Sequence, residues 1–189
     1  ARAAAGLADV TVTMTMENRL NSDSETYLVR YGAVPEVARF RSATPVDLPR
    51  GSTVVVETHR GRQLGIVLER LRQPSSTETD FTVLGPATAD DLAAADRLRQ
   101  QCEVEYPRWL ARIGEWQLAL ELVDVELTLD GAKQILYVLT ERGPETTNLA
   151  LQAAAAGLGL IEVQPVSAEG LVALSSGGGC GSGGCGCQH

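Results

Sequence analysis

The stretch Cys180-Gly-Ser-Gly-Gly-Cys185-Gly-Cys187-Gln-His189 holds three of the chain's four cysteines and one of its two histidines. Only glycine, serine and glutamine separate them. Thiolate and imidazole are soft donors, and glycine lets the backbone turn around an ion at no steric cost. The pattern therefore points to a metal or an iron–sulfur cluster held by Cys180, Cys185, Cys187 and His189. Two other uses fit the same residues. One is redox pairing, for which three clustered thiols and one distant one make an awkward framework; the other is an inert Gly/Ser tail.

Elsewhere the chain offers little reactive chemistry. Cys102 falls on the apolar stripe of a long helical segment, where a free cysteine packs as a small hydrophobe. His59 sits beside Arg60 and Arg62 at a presumed hairpin tip and is expected to be exposed. With the other histidine at position 189, a Ser–His–Asp or Cys–His arrangement has no internal partner to draw on, so the chain is expected not to be an enzyme. Asp124 and Glu126 alternate with Val123, Val125 and Leu127, which places them on the sheet face opposite the core, solvated. Trp109 and Trp116 are expected to pack. No Walker-type phosphate loop is present, and the Gly177–Gly179 run lacks the following lysine.

Charge is unevenly spread. The net value is −8, yet residues 27–72 carry eight arginines against four acids, a local +4. From residue 73 onward six basic residues face sixteen acids, a local −10. An acidic body repels phosphate backbones, so broad nucleic-acid binding is disfavoured. RNA contact would have to use a small basic face built from Arg39, Arg41, Arg60 and Arg62; solvated surface arginines are the plainer reading. No apolar run approaches the roughly 20 residues needed to cross a bilayer, so membrane insertion is not expected. Residues 1–16 lack a basic region followed by an uninterrupted apolar core, so a cytoplasmic, reducing location is expected, where clustered thiols serve as ligands more often than as bridges.

The elements emerge from periodicity. Residues 1–26 show no sustained period and read as a mobile arm. Short apolar runs over 27–72 (27–31, 37–40, 53–58 and 63–68, with His59-Arg60-Gly61 as a hairpin tip) predict a small, curved β-sheet or barrel. Arg70–Asp80 reads as a polar linker. Over 81–166 the order becomes strand, helix, strand, strand, helix, strand, the ferredoxin-like βαββαβ order. There Thr88 and Asp91 form a capping box, Pro107 kinks or splits the first helix, and Asp130-Gly131 joins two strands. The second helix begins after Pro144 and ends near Gly157. The fold class is therefore α/β of the α+β kind, with residues 175–189 as a Gly/Cys-rich metal-binding tail.

Two strings carry a family likeness: Gly51-Ser-Thr-Val-Val-Val-Glu-Thr-His-Arg-Gly61-Arg-Gln-Leu-Gly65-Ile-Val and Leu122-Val-Asp-Val-Glu-Leu-Thr-Leu-Asp-Gly-Ala-Lys-Gln-Ile-Leu-Tyr137. They resemble the polymerase-suppressor-type (PSP) C-terminal domain family, including its bacterial RicT/YaaT-like members, over residues 27–187. Such proteins carry a cysteine in a glycine-rich segment and, five residues on, an adjacent pair. Cys180 and Cys185 match; Cys187 is offset by Gly186, and Arg142-Gly-Pro-Glu-Thr-Thr departs from the family's basic element. The resemblance implies a regulatory subunit of RNA processing rather than a catalyst. It would join small helical partner proteins, carry an iron–sulfur cluster, expected to be four-iron, and steer an endoribonuclease. A zinc site of Cys₃His type is the alternative use of the same donors, and a nucleic-acid-binding regulator the alternative function.

Overall fold

A computed structural model describes residues 25–44, 46–71, 81–140, 144–168 and 170–172. The arm expected over 1–26 lies outside the described residues except for Glu25 and Thr26, and the expected tail over 175–189 lies wholly outside them. The described residues form a mixed α+β fold with two sheets and two helices.

Five strands close a barrel: β1 (Thr26–Tyr31), β2 (Glu36–Ser42), β3 (Thr53–Thr58), β4 (Gly61–Leu71) and β5 (Thr82–Pro86), in the order β1-β2-β5-β3-β4. Alternation decides what fills it. Tyr27, Val29, Tyr31, Phe40, Val54, Val56, Val67 and Val83 point inward and are at most 4% exposed. Tyr31 and Phe81 lie edge-on and Phe40 and Phe81 tilted within about 6 Å, bringing three aromatic rings together. Gly65 is required by space: a Cβ there would stand 2.5 Å from Val29 Cγ1.

The strand expected to open a ferredoxin-like unit is thus built into the barrel instead. β5 pairs parallel with β2 and antiparallel with β3, filling the gap between two edges that would otherwise stay open. The barrel thus takes in strands from both sides of residues 72–80, β4 before them and β5 after.

After β5 the chain forms α1 (Ala89–Glu115), β6 (Glu121–Leu127), β7 (Lys133–Leu139), α2 (Pro144–Ala155), β8 (Leu160–Ser167) and β9 (Gly170–Leu171). The second sheet runs β6-β7-β8-β9, with β7 and β8 parallel. The expected capping box is present: Thr88 Oγ1 accepts from the Asp91 amide and Asp91 returns the bond to the Thr88 amide at 2.8 Å. Pro107 neither splits nor ends α1. Cys102 on one side of it and Trp109 and Ile113 on the other pack into one core, which holds both halves in one continuous helix. Gly157, at φ +68°, ends α2 as a left-handed cap.

In β7 all four residues Ile135–Val138 are buried, because the strand is covered on both faces. Leu136 and Val138 meet Trp109, Leu149 and Ala153 of the helices; Ile135 and Tyr137 face Val34 of the β1–β2 turn. The layers are helices, sheet, barrel. No helix of the described residues is long and apolar enough to cross a membrane.

Overpacking a filled barrel strains it, so Gly65→Ala should lower the unfolding free energy in urea by about 1–3 kcal/mol. Adding Val29→Ala should then cost less than its own single effect, a coupling read from the double-mutant cycle.

Candidate functional site

The β3–β4 hairpin has a two-residue loop, His59–Arg60, between Thr58 and Gly61. The tip is pressed onto the second sheet, so Arg60 is 3% exposed. Its guanidinium meets three side chains: Nη1 donates to Glu36 Oε2 at 2.8 Å, Nε to Glu162 Oε1 at 3.2 Å and Nη2 to Gln164 Oε1 at 2.9 Å. Burial alone would weaken its hold on the proton, but the Glu36 and Glu162 carboxylates outweigh that and keep it charged. Lys133 Nζ takes the other oxygen of Glu162 at 3.0 Å. His59 is exposed as expected, stacked on Phe81 with ring centroids 5.7 Å apart.

A second knot lies beside the first. Glu126, read from its alternation as solvated, instead accepts three bonds in the seam between barrel and sheet. They come from Tyr137 Oη at 2.6 Å, Gln63 Nε2 at 2.7 Å and the Ala33 amide at 2.9 Å. Gly32, at φ +82°, turns the chain so that Ala33 reaches that carboxylate. Burial, then the Glu126 charge and hydrogen bond, push the Tyr137 hydroxyl far up. Tyr31 is raised in the same way, by burial and then by Glu36. Among the described residues no buried side-chain polar atom lacks a partner.

The four arginines expected to form a basic face are therefore not one face. Arg60 is inside the seam and cannot meet a phosphate there. Arg62 is exposed and paired with Glu57 at 3.2 Å. Arg39 and Arg41 share the exposed outer face of β2. Arg41 is separated from Arg62 by Thr82 of β5 and Glu57 of β3, three strand steps or about 14 Å along the barrel wall. Cys180, Cys185, Cys187 and His189 lie outside the described residues. Cys102 is buried as expected, and burial, only partly opposed by the Leu127 backbone bond, pushes its thiol up to about 11. Among the described residues no three His, Cys, Asp or Glu side chains are gathered to hold a metal ion.

The sequence reading missed a groove of about 1170 Å³ between the first half of α1 and the barrel. Leu92, Leu98 and Cys102 line one wall, Leu64 and Ile66 the other, and Val125 and Leu127 of β6 the floor. The signal was present in part: the apolar stripe of α1 runs further toward its N-terminus than one sheet can cover. Comparison of the chain with protein-family models, curated proteins and solved structures finds no match.

Removing one member of a buried charge cluster leaves the others unpaired, so Arg60→Met should cost about 2–4 kcal/mol of stability. Arg62→Ala, which breaks an exposed pair, should stay within about 0.5 kcal/mol. Chemical denaturation of both variants checks the contrast.

Proposed function

We propose that this chain is a non-catalytic regulatory platform whose C-terminal thiols bind an iron–sulfur cluster, four-iron by the RicT-like resemblance. The observation that carries it is the partition of the four cysteines. Cys102 is locked in the helix–sheet core with its proton held, whereas Cys180, Cys185 and Cys187 stand within eight residues of one another in the sequence. The donor set is soft and fits an iron–sulfur centre, with the fourth corner open to His189 or to a partner's residue. Such a centre supplies one-electron and oxygen sensitivity. The body's contribution is steric: a seam tied by Arg60 and Glu126 gives partners a fixed surface. A reducing cytoplasmic compartment, supported by the clustered thiols, and helical partners and an endoribonuclease, supported by resemblance alone, complete the proposal.

Purification without oxygen, followed by visible absorption and iron and sulfide analysis, tests it. The expected protein is coloured, and Cys180→Ser removes most of the colour and iron. A colourless, iron-free chain after anaerobic reconstitution overturns the reading, and zinc bound without colour replaces it with the Cys₃His site.

The second reading, an RNA-binding regulator, is favoured by Arg39 and Arg41 sharing the outer face of β2. It expects binding that weakens steeply with salt, each lost phosphate contact on a single-stranded RNA lowering the slope by about 0.7. Arg41→Ala should flatten that slope in a filter-binding titration; an unchanged slope discards the reading.

A further inference from the structure

Helix α1 is packed along only half of its length. Its buried residues are Cys102, Trp109 and Ile113, and nothing between Ala89 and Gln101 is buried. Yet the apolar stripe continues there through Leu98, Ala95 and Leu92, the last 43% exposed. Across the groove the barrel presents Leu64 and Ile66. Two apolar walls thus face each other with space between them.

The floor decides what shape of occupant fits. β6 ends the sheet, so its outer edge is where an extended peptide would add as a further strand. That edge is already taken. Tyr106 Oη donates to the Leu122 carbonyl at 2.9 Å, Asp124 Oδ1 accepts from the Val125 amide at 2.8 Å, and the Leu127 backbone bonds the Cys102 sulfur. An added strand would find few backbone groups to pair with, whereas a helix satisfies its own and needs only side-chain packing.

Charge decides the occupant's sign. Asp96, Glu103, Asp124 and Glu126 line the groove against Arg30 and Arg99, four carboxylates to two guanidiniums. A second copy of this chain is a poor match, because α1 carries six acids against four arginines and α2 one acid and no base. The whole chain, at −8, would repel itself.

We infer that the groove between α1 and the barrel is the docking site for a basic amphipathic helix of another protein. Its apolar stripe packs between Leu92, Leu98, Leu64 and Ile66, and its lysines or arginines lie along Asp96 and Glu103. The overhanging stretch of α1 is about 20 Å long at 1.5 Å per residue, room for three to four turns. The inference extends the platform reading and rests on it for the existence of a partner; its test reads peptide binding and is blind to iron.

The probe is a fluorescein-labelled 18-residue helix with leucine at i, i+3, i+4 and i+7 and lysine elsewhere, titrated with the full chain by anisotropy. Binding is expected, with a tenfold or greater loss on Leu92→Ser and on the Asp96→Lys/Glu103→Lys pair, all exposed or half-exposed positions that spare the core. Leu151→Ser, on the exposed face of α2, should leave it unchanged. Equal binding of the same peptide with glutamate for lysine, indifference to the groove variants, or tighter binding of an alternating Val/Lys strand peptide each overturns the inference. So does a homodimer in sedimentation that Leu92→Ser dissolves, which assigns the face to a second copy.

Discussion

A guanidinium withdrawn from water between two carboxylates and an amide sets the relation of the barrel to the sheet. Desolvating a charge costs several kcal/mol, and the attraction of its partners does little more than offset that. What Arg60 supplies is direction: a planar fork whose donors must meet Glu36 of the barrel and Glu162 and Gln164 of β8 together has few poses. Lysine, a point charge on a flexible stem, would bind the same acids without fixing the angle. Counting charges explains the neighbouring knot. Arg60 and Lys133 balance Glu36 and Glu162, which leaves Glu126 in excess. That carboxylate is surrounded by three neutral donors, from Tyr137, Gln63 and Ala33. The seam is polar and yet complete, the condition under which a buried network rigidifies rather than weakens.

Features written in neighbouring residues were legible. The strands of the barrel, the His59–Arg60 tip, the Thr88–Asp91 box and the Gly157 cap each depend on a few adjacent side chains. What depends on which surface remains uncovered was not. Phe81-Thr-Val-Leu84 reads equally as the first strand of the next unit or the last of the previous one; only the open edges of β2 and β3 decide. Arg60 reads as surface because arginine in a turn usually is, and nothing local reports that the turn abuts β8. Glu126 misled by the same logic, since alternation assigns it to the face away from the helices without saying that the barrel covers that face. The unbroken run Ile135-Leu-Tyr-Val138 was the one warning, for a strand apolar on both faces is covered on both.

Helix α1 answers two separate needs, which accounts for its length. Its second half buries Trp109 and Ile113 against β6 and β7, with Trp109 Nε1 bonded to Gln134 at 3.0 Å and Arg112 stacked over its ring. Packing on both sides of Pro107 offsets the hydrogen bond that proline removes. Midway, Tyr106 and Cys102 cap backbone groups of β6, closing a sheet edge that would otherwise recruit another strand. The first half is left standing beside the barrel with its stripe uncovered, and the groove is the consequence.

These arrangements bear on where chemistry can reside. Ionisable groups become reactive when the fold perturbs them and leaves them accessible. The strongly perturbed groups among the described residues, Tyr31, Tyr137 and Cys102, all shift toward holding their protons, and all three are buried. A seam that spends its charges on mutual satisfaction behaves as a joint. Soft donors on a segment rich in glycine, by contrast, can meet an inorganic centre without deforming a packed core. The proposal thus separates two tasks, with rigidity assigned to the barrel–sheet seam and ligation to the soft donors clustered in the sequence. That division is the physical content of the platform proposal, and it is the same proposal whether the fourth donor comes from His189 or from another chain.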